Sequence, residues 1–223
     1  MALNIGFLLF PQVQQLDLTG PYEFLAALRG TRMHLIWKTL DPVVSSTGLI
    51  LTPNVDFANC PQLDLICVPG GVGINVLLED AEAIDFVKRQ AGQARYVTSV
   101  CTGALLLGAA GLLRGRKATT HWNFRDLLPR FGAIETEGRV VQDGNLITAG
   151  GVTAGIDFGL TIVAELAGSE EAETIQLGLE YNPEPPFNAG TPKTASASVL
   201  AAARQRGAAS RQARQAILAR IAP

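Results

Sequence analysis

The sequence predicts an α/β fold built around a mainly parallel β-sheet. Short apolar runs rich in β-branched residues alternate along the chain with longer helical patterns, which is typical of right-handed βαβ units. With 223 residues, 48% hydrophobic side chains and a formal net charge of −2, the chain is long enough to bury one substantial core. We therefore expect an ordered α/β domain and no repeats.

The predicted elements alternate in order from the N-terminus. The apolar runs indicate buried strands at 3–10, 33–37, 63–68 and 95–100. The helical patterns lie at 20–28, 81–91, 104–113, 153–167 and 170–180. A β-hairpin is predicted at 140–146, because Asp143-Gly144 suits the positive φ of a tight turn.

The C-terminal part of the chain differs in composition. Residues 181–194 are rich in Pro, Gly and Asn and predict an irregular arm, and a last helix is expected over 195–221. We therefore divide the chain into an α/β domain (1–194) and a C-terminal helix (195–223) that packs on the same domain or on a partner subunit.

The basic residues are concentrated in this last part. From Pro185 onward there are six basic residues and no acidic one, while all 20 acidic residues lie at or before Glu184. Such a segment can attract an acidic partner. No aromatic residue interleaves its arginines, so we expect the helix to pack on the acidic body of a chain and not to bind nucleic acid.

The sequence also indicates the cellular compartment. The N-terminus lacks the basic leader of a signal peptide, and the longest weakly polar run, 97–113, is too short and too rich in Gly to span a bilayer. Three cysteines without a CxxC pair, with two histidines, support neither a disulfide framework nor a zinc site. We expect a soluble cytoplasmic protein without a membrane partner, in which Cys60 and Cys67 are packing residues.

Cys101 is the candidate nucleophile. It lies where the strand pattern of 95–100 changes into the helical pattern of 104–113, on a strand-to-helix turn. A thiol there faces the first free N–H groups of the helix, at Thr102 and Gly103, which lower a cysteine pKa to roughly 3.5–7.5. The alternative is a core cysteine that ends a strand.

Other candidate residues follow the predicted strands, at the sheet edge where ligands bind in such folds. Burial of Asp17 between Leu16 and Leu18 would raise its pKa and make it a proton donor near neutral pH. The alternative is that Asp17 caps the following helix. Gly70 and Gly71 allow backbone N–H groups to approach a reacting atom, as an oxyanion hole requires.

His121 is a candidate base for Cys101, or else a structural histidine bonded to the backbone. The glycine-rich segments 70–73 and 150–155 match neither the dinucleotide fingerprint nor the P-loop. We therefore expect no nucleotide cofactor.

Several of these motifs together resemble the ThiJ/PfpI superfamily. The matching runs are 7–11, 16–21, 68–71, 99–103, 118–122 and 150–157. Within this superfamily the chain is similar to the bacterial isocyanide-hydrating enzymes over essentially its whole length, including the tail segments 179–181 and 185–190.

The resemblance implies a flavodoxin-like α/β sandwich with a nucleophile elbow, as in class I glutamine amidotransferases, and a homodimer. It implies hydration of isocyanides to N-formamides through a Cys101 thioimidate, without metal or organic cofactor, with Asp17 as general acid/base. Thr102, Gly71 and Thr153 would line the site. Peptidase-like and deglycase relatives carry His directly after the cysteine and Glu in place of Asp17, which counts against those activities here.

A second resemblance leaves an alternative open. The segments 99–103 and 118–122 also resemble the ligand-sensing domain of AraC-type transcription regulators. Those regulators append a helix-turn-helix region of roughly a hundred residues, and about thirty residues follow Thr194 here. The alternative is therefore a ligand- or redox-sensing module without DNA-binding helices.

Overall fold

A central β-sheet organises the protein, whose computed structural model describes residues 2–221. The strands are β1 (Leu3–Leu8), β2 (Thr31–Trp37), β3 (Val43–Val44), β4 (Ile50–Leu51), β5 (Val55–Asp56), β6 (Leu65–Val68), β7 (Tyr96–Val100), β8 (Lys117–Ala118), β9 (Ile134–Glu135), β10 (Val140–Asp143) and β11 (Leu146–Ala149). The helices are α1 (Gln15–Ala27), α2 (Ile74–Leu77), α3 (Ala81–Ala91), α4 (Gly103–Ala109), α5 (Ala154–Ala167), α6 (Ser169–Gly178) and α7 (Ala197–Ile221), with a 3-10 segment at Trp122–Phe131.

The central sheet has seven strands in the order β10-β11-β7-β6-β1-β2-β5. Its neighbouring strands run parallel, except that β10 and β11 form an antiparallel hairpin. The hairpin turns through Gly144 at a φ of 58°. The predicted mainly parallel α/β sheet and the predicted hairpin are both confirmed.

Helices cover both faces of this sheet. Helices α1, α5 and α6 pack together on one face, while α2, α3 and α4 pack together on the other, with the 3-10 segment and α7 outside α4 and α2. Every residue of β6 and β7 is buried, because these strands are covered on both faces. The result is the expected flavodoxin-like sandwich.

Helix α1 begins earlier than the sequence pattern predicts, at Gln15 instead of residue 20. Gly and Pro usually mark helix ends, but Gly20 and Pro21 lie inside α1. A Cβ atom at Gly20 would lie 3.3 Å from the Ile156 side chain, so glycine allows α5 to pack closely here. The residue before the helix is Gln14, so the alternative of Asp17 as its cap is wrong.

Several short elements were not predicted. These are the hairpin of β3 and β4, the pair of β8 and β9, and the 3-10 segment. The four strands have two residues each, which is too short to show a hydrophobic pattern, and the 3-10 segment lacks a regular period. Strand β1 also ends at Leu8, two residues before the predicted end. The irregular arm is confirmed, since residues 181–194 form no helix or strand.

The C-terminal helix α7 lies on its own chain. Arg211 pairs with Asp126 of the 3-10 segment, and Arg220 pairs with Glu79 beside α2. This agrees with the expected packing of basic residues on an acidic body. In the described part of the chain, no helix combines the length and the apolar character needed to cross a membrane.

Candidate active site

The candidate nucleophile occupies a strained turn between β7 and α4. Cys101 has a φ of 54°, in the left-handed region that non-glycine residues rarely adopt. Its N–H donates to the carbonyl oxygens of Ala149 (3.1 Å) and Gly150 (2.8 Å), and its own carbonyl accepts from the Thr120 hydroxyl. These contacts hold a backbone conformation that costs about 1–3 kcal/mol. The predicted strand-to-helix turn is therefore present as a nucleophile elbow.

The start of α4 packs closely against the end of β6, next to the turn at Cys101. A Cβ atom at Gly103 would lie 1.9 Å from the carbonyl oxygen of Val68, at the end of β6. Only glycine lets the helix begin so near the neighbouring strand. The first turn of α4 is thereby fixed directly behind Cys101, which is 6% exposed.

Asp17 lies beside Cys101, in the first turn of α1, and is fully buried. Its Oδ2 atom accepts a hydrogen bond from the Gly70 N–H at 2.9 Å, and its Oδ1 atom is also buried. Burial raises the pKa of Asp17 from 3.8 to about 7, and the Gly70 N–H and the Cys101 side chain only partly offset this. The structure therefore places a buried carboxyl that titrates near neutral pH beside Cys101, and its role as a proton donor stays a prediction.

The pKa of the Cys101 thiol is raised well above 9.0, first by burial and then by the charge of Asp17. The N–H of Thr102 and the charge of Arg214 oppose this increase without cancelling it. The expectation of a depressed cysteine pKa is wrong, because burial and a neighbouring carboxylate outweigh one helix terminus. The resting pair therefore holds its proton on sulfur when Asp17 is ionised.

The glycine pair after β6 holds Asp17 and Thr102. The Gly70 N–H is bonded to Asp17, and the Gly71 N–H donates to the Thr102 hydroxyl oxygen at 3.1 Å. A Cβ atom at Gly70 would lie 2.6 Å from the Thr102 nitrogen and 2.8 Å from Asp17 Oδ2. The expected pair of free oxyanion donors at Gly70 and Gly71 is therefore wrong. The donor that faces the sulfur is the N–H of Thr102.

The His121 side chain forms a hydrogen bond with the backbone of its own segment. Its Nδ1 atom accepts from the Asn123 N–H at 3.2 Å, at the start of the 3-10 segment. Burial, together with the charge of Arg214, lowers the pKa of His121 to about 4. The imidazole is therefore neutral at physiological pH, and the geometry favours the structural alternative over a base for Cys101.

Thr153 borders a cavity next to the nucleophile turn. Its carbonyl and hydroxyl oxygens accept from Arg139 Nη2 at 3.0 and 3.3 Å. The cavity has a volume of about 480 Å³, and its lining includes Thr120, His121, Gly150, Gly151, Thr153 and Lys193. Thr120 and Gly150 also bond the backbone of Cys101, so this cavity adjoins the turn. A direct role of Thr153 stays a prediction.

Sequence reasoning did not find Arg214, which α7 carries into the protein beside this site. Its side chain is 1% exposed, and the guanidinium lies 4.4 Å from the ring centroid of Phe124. Its Nε atom donates to the Asn75 side chain at 2.8 Å, and its Nη2 atom donates to the Gly71 carbonyl at 3.2 Å. No local motif distinguishes Arg214 from the exposed arginines of the same helix.

The remaining cysteines are free thiols, like Cys101. Burial raises the pKa of Cys60 to about 11 and that of Cys67 to about 12. Both thiols are therefore protonated and poorly nucleophilic at neutral pH, in agreement with a packing role.

The profile of the DJ-1/PfpI family matches residues 4–165, which include both Asp17 and Cys101. The chain belongs to the DJ-1/PfpI family. Two solved structures agree with this assignment. A ThiJ/PfpI family protein from Pseudomonas syringae superposes with a TM-score of 0.95 at 46% identity, over 98% of this chain and 91% of that one. Drosophila melanogaster DJ-1beta superposes with a TM-score of 0.74 at 23% identity, over 82% and 100%, which supports the fold alone.

Two curated relatives differ in what they do. The chain is 60% identical over 222 residues to the isonitrile hydratase of Pseudomonas putida, covering 100% of this chain and 97% of that protein. It is 33% identical over 181 residues to the HTH-type transcriptional regulator GbdR of Pseudomonas aeruginosa, covering 77% of this chain and 49% of the regulator. The DJ-1/PfpI fold therefore occurs both in a hydratase and in a regulator.

Proposed function

We propose that this DJ-1/PfpI protein is an isocyanide hydratase that converts isocyanides to N-formamides. The observation that carries the proposal is the pair of Asp17 and Cys101 at the nucleophile elbow, in a chain 60% identical to an isonitrile hydratase over its whole length. The pair supplies a sulfur nucleophile and a carboxyl that titrates near neutral pH.

The first half of the reaction uses the one proton that the pair shares. Asp17 accepts the proton of the Cys101 thiol, and the sulfur attacks the terminal carbon of the isocyanide. Asp17 then delivers the proton to that carbon, so that a thioimidate forms and the carboxylate is restored. The Thr102 N–H stabilises the sulfur as it becomes negative.

Water completes the reaction at the same carbon. Asp17 takes a proton from water as the oxygen bonds to the carbon, and it delivers this proton to the imine nitrogen. The carbon–sulfur bond then breaks while Asp17 accepts the proton of the new hydroxyl group and passes it to the Cys101 sulfur, so that the thiol is restored and the N-formamide leaves. Every proton that enters or leaves the pair passes through one carboxylate, so the mechanism needs neither metal nor organic cofactor.

Formamide production by the wild-type protein tests this function directly. We expect cyclohexyl isocyanide to be converted in many equivalents per protein, measured as N-cyclohexylformamide by chromatography. The rate should rise with pH around 7, because the reactive pair requires ionised Asp17. No turnover with alkyl and aryl isocyanides would contradict the proposal.

A non-catalytic sensor related to AraC-type regulators is the second candidate, and the match to half of a transcription regulator favours it. A sensor would bind a ligand, or oxidise at Cys101, in a single equivalent per protein. The same turnover experiment separates the two candidates, since only the hydratase yields many equivalents of formamide.

We also propose that the protein is a cytoplasmic homodimer whose residues 1–194 and 195–223 are the α/β domain and an attached helix. Free thiols agree with a reducing compartment. The hairpin of β3 and β4 exposes Val44 and Ile50, while Val72, just before α2, and Val76, within α2, are also exposed. An apolar surface of this kind suits a second copy of the chain.

Light scattering tests the dimer. We expect the wild-type protein to have twice the mass of one chain, because a partner removes these apolar side chains from water. Ile50→Glu should shift the mass towards that of one chain, whereas Leu177→Glu, at an exposed position on α6, should leave it unchanged. A wild-type mass equal to that of one chain would rule the dimer out.

A further inference from the structure

Arg214 is a buried positive charge with unusual partners. Its neighbours on α7, Arg211 and Arg220, pair with Asp126 and Glu79. Within residues 2–221, Arg214 instead bonds the amide oxygen of Asn75 and the carbonyl of Gly71, both neutral, and its Nη1 atom is buried without a partner. A buried charge without a counter-ion is costly, which indicates that this cation has a function other than stabilising the resting fold.

The charge of Arg214 changes the pKa values of groups in the candidate active site. Arg214 lowers the pKa of both Cys101 and His121 by its charge, while Asp17 raises the pKa of Cys101. Burial lowers the pKa of Arg214 itself only to about 10, so the guanidinium stays charged at neutral pH. Within residues 2–221, Asp17 and Arg214 are therefore the charged groups that act on the thiol.

A hydrogen-bond chain also joins Arg214 to the nucleophile. The Gly71 carbonyl accepts from Arg214 Nη2 at 3.2 Å and from the Thr102 hydroxyl at 3.4 Å. The N–H of the same Thr102 faces the sulfur of Cys101. The C-terminal helix thus reaches Thr102, the residue before α4, through the carbonyl group of Gly71.

We propose that Arg214 is the fixed positive charge that stabilises the Cys101 thiolate as the thiol gives up its proton. The guanidinium gains a negatively charged partner when the Cys101 thiolate forms. Its positive charge also offsets the repulsion between the thiolate and the Asp17 carboxylate. Arg214 acts on the charge of the sulfur and holds Gly71, so it is a positioning residue. The proposal concerns thiol ionisation and stands whether or not the substrate is an isocyanide.

The pH dependence of Cys101 alkylation tests this role without any substrate. Iodoacetamide is added to the folded protein between pH 7 and 11.5, and the rate of modification of the Cys101 peptide, which follows the thiolate fraction, is measured by mass spectrometry. We expect Arg214→Met to raise the midpoint of alkylation by about one pH unit, which slows the reaction at pH 8 about tenfold. Arg214→Lys keeps the charge and should restore most of the rate.

Arg211→Met is the matched control, because Arg211 lies one turn earlier on α7 and pairs with Asp126. It should leave the midpoint unchanged. Thermal unfolding establishes that each variant is folded. A folded Arg214→Met protein with the wild-type midpoint, or a Lys variant shifted as far as the Met variant, would overturn the proposal.

Asn75→Asp provides a second test of the proposal if Arg214→Met does not fold. The substitution retains an oxygen for Arg214 Nε and gives the guanidinium a carboxylate partner. We expect the protein to become more stable and the midpoint of Cys101 alkylation to rise, because the positive charge is neutralised in place. An unchanged midpoint in this variant would also overturn the proposal.

Discussion

Cys101→Ala is expected to reduce formamide production by at least about 1,000-fold, close to the uncatalysed background. The reaction depends on a covalent bond to sulfur, and no neighbouring group replaces it. Cys67 is fully buried within β6, and the pKa of Cys60 is raised to about 11 by burial. The measurement is the initial rate of formamide formation at equal protein concentration, with thermal unfolding recorded to establish that the variant is folded.

Two further variants sharpen this result. Cys101→Ser keeps a hydroxyl at the elbow, but an alcohol is far harder to ionise than a thiol, so its rate should also fall at least about 100-fold. Cys60→Ala removes a thiol in a loop and should keep the wild-type rate. If Cys101→Ala retained more than a tenth of the activity, Cys101 would not be the nucleophile.

Local sequence was sufficient to predict the strand-to-helix turn at Cys101 and the burial of Asp17. A β-branched strand, one cysteine and a run of Ala and Leu locate Cys101 at a strand-to-helix turn, and the sheet rule brings Asp17 to the same edge. The sequence patterns that predict these positions lie within a few residues of Cys101 and Asp17. That is why the fold class, the elbow and the burial of Asp17 follow from composition and order along the chain.

The electrostatic balance of the site could not be predicted in this way. The pKa of Cys101 rises because burial and Asp17 act together, and the strength of burial depends on packing among distant segments. Arg214 reaches the site from a helix 113 residues further along the chain, whose other arginines are mostly in solvent. Likewise, the N–H groups of Gly70 and Gly71 are engaged by side chains whose positions only the folded structure reveals.

Asp17→Asn is expected to lower the rate of formamide formation by about 100- to 10,000-fold, because an amide cannot carry the shared proton. The wild-type rate should rise through pH 7 as the Asp17 carboxyl, with its pKa of about 7, ionises. The residual rate of Asp17→Asn should lose this inflection. The pH–rate profiles of the two proteins, measured between pH 5 and 9, test the expectation, and an identical profile would exclude Asp17 as the proton carrier.

The same substitution should stabilise the protein above neutral pH. The pKa of Asp17 is raised from 3.8 in the unfolded chain to about 7 in the fold, so its contribution to stability is fully present below pH 3.8 and is lost as pH rises through 7. The loss amounts to roughly 4 kcal/mol. Asparagine keeps an oxygen for the Gly70 N–H and has no charge to bury.

The difference in unfolding free energy between Asp17→Asn and wild type, measured by urea unfolding, should therefore increase by a few kcal/mol from pH 4 to pH 8. Asp85→Asn, at an exposed position on α3, is the control and should show no such trend. A difference that stays constant with pH would mean that Asp17 is ionised throughout. Loss of turnover together with a gain in stability would identify Asp17 as a group retained for its chemistry, at a cost to the fold.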